Sequence, residues 1–578
     1  MRDGLPTGNL PAGRFPRPMV WGMEMELQMH LSGRPPRLWG WNGAELFLDF
    51  SPRRRGRPWR QDRWEWHRTR NGARWYYESP TLPEVSTAEC RHVLDLVANV
   101  QAQLELVARR LRQIDAFLEG RTLEARLAAT DQGGHSFGQH HNFRLPQPLI
   151  DQWLDRRPHY LQRALIPHLV SGIILWGAGK AGCENGAPAA VWQLSQRADF
   201  VEQPGVSLQT VHRRGFVADR RDLPERLMLL SFDGNRLDRS LALAMGTTGL
   251  VLALMAAEAA LPDWILRDPV EALQAASRDL SLEAPVLVLE RGQRWSALEM
   301  QESLCQRCRD FLDGGTAGPV VVEGASWILD RWEETLHRLR HDRDSLATGL
   351  DWLAKWSLLE ELGIPPDSLE ARRFDLEWAR LDRASPVALL RREGALEELV
   401  PRERIEEYLE QAPRDTRAWL RAAAVRKFGP EIFVPDWDRL RSRTGWELYL
   451  DDVTGFTAAE VQGAVERADS ATELLQDLGA LPSRWGWSGS VPASASSVEP
   501  LRPGGTAGMP GYIQMDPERR YSDDHATQDL PSGFSRGAGS FPRQRKLEPP
   551  GSPETGGADT GSLPERYGGG GPGVPGEA

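Results

Sequence analysis

Two glutamates one residue apart, Glu24 and Glu26, stand inside the run Val20-Trp-Gly-Met-Glu-Met-Glu-Leu-Gln-Met29. In an extended strand, successive side chains point to opposite faces. The run predicts one strand over 20–29, with Trp21, Met23, Met25, Leu27 and Met29 toward a core and both carboxylates side by side opposite. Two carboxylates brought together are costly unless something neutralises them. Water or a basic neighbour meets that cost. So does a divalent cation, because oxygen ligands are what Mg²⁺ takes.

A second chemistry-bearing run is Arg74-Trp75-Tyr76-Tyr77-Glu78. Alternation puts Arg74, Tyr76 and Glu78 on one face and Trp75 and Tyr77 on the other. The chain then turns through Pro80 to Pro83, passes Glu84 and reaches Ser86-Thr87-Ala88-Glu89, a capping-box pattern. Behind it Val93, Val97, Val100, Leu104, Val107, Leu111, Ile114 and Leu118 recur at helical spacing. This predicts Ser86 and Thr87 at a helix N-terminus, either as simple caps or as a phosphate seat. Thr130 to Phe143 reads as a Gly/Ser-rich loop leading into a strand that presents His140, Asn142 and Arg144 on one face. Its three histidines (His135, His140 and His141) suit metal, phosphate or a structural role.

Other candidates carry less. Gly177-Ala178-Gly179-Lys180 is not a phosphate-binding P-loop: no Gly stands five residues before Gly179, and no Ser or Thr follows Lys180. Cys305 and Cys308 have half a zinc site's spacing without a second pair. His337 and His341 lie one helical turn apart in a charged segment that reads as a solvated face.

The elements that must position these residues belong to a chain of 578 residues, long enough for two folded domains plus appendages. Hydrophobic and charged contents of 40% and 26% are ordinary for a globular protein. A net charge of -11 argues against nucleic acid as a partner. Four cysteines form no disulfide framework, which suits a reducing, cytoplasmic setting. The apolar run Leu241 to Leu261 nearly reaches membrane-span length but contains Gly246, Thr247, Thr248, Gly249 and Glu258, and reads as a buried helix. No membrane is expected as a partner.

Residues 1–17 read as a loose arm. After the first strand comes a Pro/Arg/Trp-rich stretch, Ser32 to Gly72, with an apolar piece at Ala44 to Phe50 and the cluster Arg53-Arg54-Arg55. Leu161 to Gly179 reads as one apolar helix, Val191 to Ala198 and Leu227 to Asp233 as strands, and Leu241 to about Arg383 as mainly helical. The expected organisation is a large domain over 18–385, a small C-terminal domain over 386–487 ending in one helix from Ala458 to Leu478, and a disordered Gly/Pro/Ser-rich tail over 488–578.

In series, these pieces resemble the Pup ligase family, which comprises the proteasome accessory factor A ligases and the Dop depupylases. The matching blocks run in order: Gly22-Met23-Glu24-Met25-Glu26; Asn71 to Glu78 with Pro83-Glu84 and Thr87-Ala88-Glu89-Cys90; and Thr130 to Phe143. They continue with Gly177 to Lys180, Leu194 to Ala198, Arg226-Leu227 through Asn235, Thr416-Arg417-Ala418-x-x-Arg421 and Asp436-Trp437. The resemblance implies an α+β, glutamine synthetase-like fold, with a large, curved, mostly antiparallel sheet, packed helices and a small C-terminal domain.

It also implies that Glu24, Tyr76 and Glu84 bind Mg²⁺ with Glu26 nearby, and that Arg74, Thr87 and Trp437 contact ATP. The implied partners are a Pup-like small modifier and lysine-bearing target proteins. The implied reaction has two steps. The modifier's terminal glutamate attacks the γ-phosphate of ATP to give an acyl phosphate, and a substrate lysine then displaces phosphate to form an isopeptide bond. A carboxylate base must take a proton from the lysine ammonium.

Three departures from the family pattern stand out. Glu78 occupies the place of the catalytic aspartate, and one extra methylene shifts a carboxylate by about 1 Å, a misplacement that can cost ~10²-fold. Leu82 stands where the family has His, and His140-His141-Asn142 replaces a His-Glu-Asn block. The short connection between the first two blocks and the Thr87–Cys90 run favour a ligase over a depupylase or deamidase. A non-catalytic relative that binds ATP or modifier is the contrasting class. A small-molecule carboxylate–amine ligase would need a narrow closed pocket. The end Gly576-Glu577-Ala578 lacks a modifier's Gly-Gly-Glu and is not read as a fused modifier.

Overall fold

Alternation along Trp21–Glu26 sets the layering: Trp21, Met23 and Met25 are at most 1% exposed and face helices, while Gly22, Glu24 and Glu26 face away from them. The computed structural model describes residues 16–32, 42–49, 67–68, 70–118, 122–207, 214–220, 223–259, 261–315 and 318–482. The expected tail, the Arg53–Arg55 cluster and most of the N-terminal arm lie outside them.

The strand Trp21–Glu26 is central in an eight-stranded sheet. On one side follow Gln139–Arg144, Arg226–Leu229, Val217–Ala218 and Val206–Ser207; on the other, Leu82–Ser86, Arg74–Ser79 and His67–Arg68. Every neighbouring pair is antiparallel except Val206–Ser207 with Val217–Ala218.

The helix-facing side is core. The helix Val93–Asp115 packs on it, and Gln103 accepts a hydrogen bond of 3.0 Å from the Trp75 indole. The helix Asp238–Ala256 crosses beneath Trp21, so closely that a Cβ at Gly249 would lie 3.1 Å from Nε1 of Trp21. Every residue of that helix is buried, as its apolar composition all round requires. Further helices pack elsewhere: Ala297–Asp313 and Ala325–His341 against Asp238–Ala256, Pro269–Arg278 against Ile166–Ser171, and Asp351–Glu361 and Leu369–Trp378 around a separate core with Trp192.

A smaller core lies C-terminal. Leu420, Ile432, Leu440, Leu448, Leu474 and Leu475 form it. It sits between a four-stranded antiparallel sheet (Ile432–Asp436, Arg439–Ser442, Trp446–Tyr449 and Leu481–Pro482) and the helices Ala418–Phe428, Ala458–Arg467 and Ala471–Asp477.

Several elements differ from the sequence expectation. The 20–29 strand is two: after Glu26 the chain leaves the large sheet, and Gln28–Leu31 pairs with Leu123–Arg126. The Gln28 side chain fixes the switch by donating to the carbonyls of Ala128 and Thr130. The long helix begins at Val93 with His92 as its cap, not at Ser86. Glu89 is drawn out of the capping box by Arg417 and Arg421. The stretch 161–179 is interrupted: a π-turn at Leu161–Leu165 precedes Ile166–Ser171 and Ile173–Trp176, with Pro167 and Gly172 inside. Within Val191 to Ala198 only Trp192–Gln193 pairs as strand. The Asp233 carboxylate captures the backbone N–H groups of Gln196 and Arg197 and the Ser195 hydroxyl, pulling that segment into a turn. The last helix is two, because Ser470 caps a fresh start by accepting from the N–H of Glu473.

Candidate active site

The strand register assembles the outward face. Glu24 lies between Ser86 and His140 on its two neighbours, Gly22 lies opposite Asn142, and Glu26 lies opposite Glu84. One strand further, Tyr76 lies opposite Glu84 and Arg74 opposite Ser86. Residues from four strands therefore meet on one surface. Glu24 and Glu84, 8% and 2% exposed, join His140 in offering ligand atoms that all lie within 4.8 Å of one another.

The charges here are arranged in opposition. Burial alone would raise Glu24, but the Arg226 guanidinium, 2.6 Å from its Oε1, and the neighbouring His140 outweigh it and hold the carboxyl at about 2. Asn142 keeps Arg226 in place by accepting from its Nε at 2.7 Å. Glu84 has no such cation among the described residues. Burial, then the charges of Glu24, Glu26 and Glu78, push it well above the usual carboxylate range. Its Oε1 is buried with no hydrogen-bond partner among the described residues. Burial and the same two carboxylates, Glu24 and Glu84, also push the Tyr76 phenol upward, while Ser86 donates to its oxygen at 3.3 Å.

The loop before His140 is shaped to the site. Gly138 donates its N–H to Glu26. A Cβ there would sit 2.4 Å from His140 Nε2 and 2.8 Å from Glu26 Oε1, so any larger residue would displace one of these two side chains. At Gly22, on the same face, a Cβ would meet nothing within 4 Å, which leaves open space beside the carboxylates.

The residues fit a divalent cation. Two buried carboxylates, an imidazole and a phenol converge, and the orphaned oxygen of Glu84 is what a cation would satisfy. Glu24, Glu84 and His140 form that group. Tyr76 and Glu26 border it.

Glu78 stands at the exposed end of its strand. Partial burial, and then the charge of Glu26, raise its carboxyl above the ordinary value. Arg74 is 3% exposed, and burial followed by the neighbouring charge of Arg421 brings its guanidinium down to about 8, against the pull of Asp436. Its guanidinium carbon lies 5.0 Å from the Trp437 ring, at the turn of the first hairpin in the small sheet. Arg74 and Trp437 are thus together, although 363 positions separate them in the chain (437 − 74).

Thr87 is a different case. It is not at a helix N-terminus, and its hydroxyl accepts from the backbone N–H of Met23 at 3.0 Å. Two other expectations resolve structurally. Lys180 is fully buried and ion-paired with Asp199 at 2.6 Å. His141 points into the core, stacked on Phe232 with centroids 3.8 Å apart, and burial lowers it to about 3.

Sequence reasoning offered His140 among three histidines suited to metal, phosphate or structure, and gave Arg226 no role. Alternation placed His140 on the correct face, and only the register places it beside Glu24. Arg226 gave no signal of its own, because its reach to Glu24 crosses an intervening strand.

Comparison with known proteins decides the lineage. The profile of the family described as Pup-ligase protein matches residues 39–441. The chain belongs to this family. Among its curated relatives, a depupylase from Acidothermus cellulolyticus is 32% identical over 429 residues, covering 71% of this chain and 82% of that protein. A Pup–protein ligase from Micrococcus luteus is 32% identical over 426 residues, covering 65% and 84%. The solved complex of the prokaryotic ubiquitin-like protein Pup with its ligase PafA shares the fold, with a TM-score of 0.66 at 22% identity over 80% of this chain and 94% of that one. A PafA structure in complex with ADP gives 0.61 at 23% identity, over 70% and 90%. The expected α+β fold is therefore borne out. Family membership makes the chain kin to carboxylate–amine ligases, with relatives of both ligase and depupylase name.

Proposed function

We propose that this Pup-ligase family member is an ATP-dependent ligase that joins the C-terminal glutamate side chain of a Pup-like modifier to lysines of target proteins. The supporting observation is the convergence of Glu24, Glu84 and His140 on a face that also carries Tyr76, Arg74 and, at its rim, Glu78. Glu24, Glu84 and Tyr76 would hold Mg²⁺, with His140 beside them. A cation there supplies neutralisation of the charge that moves with the phosphoryl group.

The chain's own groups do the rest. The planar fork of Arg74 suits phosphate oxygens, and the Trp437 indole offers a face to a base. Thr87 is the weakest of the nucleotide assignments, because its hydroxyl is already engaged by Met23. The modifier's carboxylate oxygen attacks the γ-phosphorus and ADP departs, leaving an acyl phosphate. Glu78 takes a proton from the lysine ammonium, the freed amine attacks the acyl carbon, and inorganic phosphate leaves. The raised carboxyl of Glu78 and its exposed position suit a base that meets a lysine arriving from solvent.

The relatives named as depupylases favour a second reading, in which water replaces lysine and the same site cleaves the isopeptide bond. One experiment separates the two. The purified chain is incubated with ATP, Mg²⁺, a Pup-like protein ending in Gly-Gly-Glu and a lysine-bearing acceptor, and the acceptor's mass is followed. A conjugate that is absent with Glu24→Ala is the expected result. Cleavage of a preformed conjugate without net formation would replace the ligase by the depupylase. Loss of both activities in the parent, with nucleotide still bound, would assign the chain to non-catalytic binding.

A further inference from the structure

Arg421 has no part in the site as described, yet it touches both the ring and the carbonyl of Trp437. It leaves the helix Ala418–Phe428, is 2% exposed, and places its guanidinium carbon 5.1 Å from the Trp437 ring. Its Nη1 donates to the Trp437 carbonyl at 2.8 Å, and its Nη2 donates to the Gly72 carbonyl at 3.1 Å. The indole therefore has two guanidiniums against it, Arg74 from the large sheet and Arg421 from the small module.

Two like charges beside one ring are costly unless each is anchored. Glu89 anchors Arg421 with both oxygens, one at 2.9 Å and the other closer still. Burial would raise the Glu89 carboxyl, but Arg421 and then Arg417 hold it at about 2. Asp436 does the corresponding work for Arg74, at 3.3 Å. Arg417 shares Glu89 and donates to the Leu450 carbonyl, with no contact to the Trp437 ring among the described residues.

We infer that Arg421, locked by Glu89, is a positioning residue for nucleotide binding: it fixes the Trp437 indole and its backbone so that ring and Arg74 are presented together. The Gly72 contact ties the same guanidinium to the approach of the Arg74 strand, so one group sets both partners. This inference rests on the nucleotide reading of Arg74 and Trp437.

The test is Mg-ATP binding to the full chain by titration calorimetry, with thermal melts as the folding control. Arg421→Lys keeps the charge and loses the fork, and should weaken binding ~10-fold. Glu89→Gln should weaken it in the same direction, while Arg417→Gln, which loosens the clasp without touching the indole, should change it less than about twofold. In a Trp437→Leu background, Arg421→Lys should add only the smaller part that reaches Arg74 through Gly72, because the rest of its effect passes through the ring.

Failure of the parent to bind Mg-ATP would overturn the nucleotide reading itself. Binding by the parent with Arg421→Lys unchanged, or with Arg417→Gln equally weakened, would overturn the positioning role alone. Should Arg421→Lys fail to fold, Glu89→Gln against Arg417→Gln decides by the same criterion.

Discussion

Trp21, Met23 and Met25 leave the central strand toward helices, and Glu24 and Glu26 leave it the other way, so two surfaces with opposite physics alternate along a single stretch of chain. The helix side is closed by packing. Even a histidine there, His141, is met by the Phe232 ring and, among the described residues, by no hydrogen bond. The open side is closed by charge, and incompletely. Glu24 has Arg226, while Glu84 is left with a bare oxygen among three other carboxylates. One face minimises its own free energy; the other keeps an unmet demand that a ligand can supply.

Substitutions should separate the two faces cleanly. On the packed face, Trp21→Ala should destabilise the fold by ~3–5 kcal/mol, read from denaturant unfolding, because a fully buried indole leaves a cavity. On the open face, Glu84→Gln should cost ~10²-fold or more in turnover. The same change should leave stability unchanged or raise it by about 1 kcal/mol, since it removes a buried like charge. A matching loss of stability would erase the distinction between the faces.

Acid should weaken the packed layer before it protonates the well-paired carboxylates. His168, fully buried behind the sheet between Thr248 and Gln301, is lowered by burial to about 3 from an ordinary 6.5. Between these values the unfolded chain binds the proton and the folded chain does not, so stability rises with pH. That stability is fully present above about pH 6.5 and is lost as pH falls toward 3, amounting to roughly 2 kcal/mol by pH 5. Melting temperature against pH measures it; His141, lowered to the same value, adds a like amount, so His168→Gln should reduce the slope by about half.

The smallest effect belongs to His141. Its two ring nitrogens are buried without partners, so His141→Phe should change stability by less than ~1.5 kcal/mol and leave turnover intact. A large loss of turnover would mean that this side chain, despite facing the core, reports to the site.

Much of this organisation could be read along the chain. Alternation over 21–26 and 74–78 assigned the faces correctly, because a side-chain period of two needs no tertiary information. The buried helix expected in Leu241 to Leu261 was legible because its composition is apolar on every side, although the helix ends at Ala256. Boundaries were less so. Ser86 to Glu89 has a capping box's letters, yet Glu89 is claimed by two arginines more than 300 positions later, and the helix waits until Val93. The Val191–Ala198 segment looked like strand until Asp233 took its N–H groups.

By itself, then, the sequence determined which residues share a face, which helices must be buried and which family's motif series the chain carries. Those properties depend on composition, local periodicity and order along the chain. The tertiary structure decided which faces meet. Only strand register sets His140 and Glu84 beside Glu24, only the packing of the small module brings Trp437 to Arg74, and only the reach of Arg226 across a strand settles which glutamate is neutralised. Charges interact through space at a few ångströms, and distance along the chain carries no information about that.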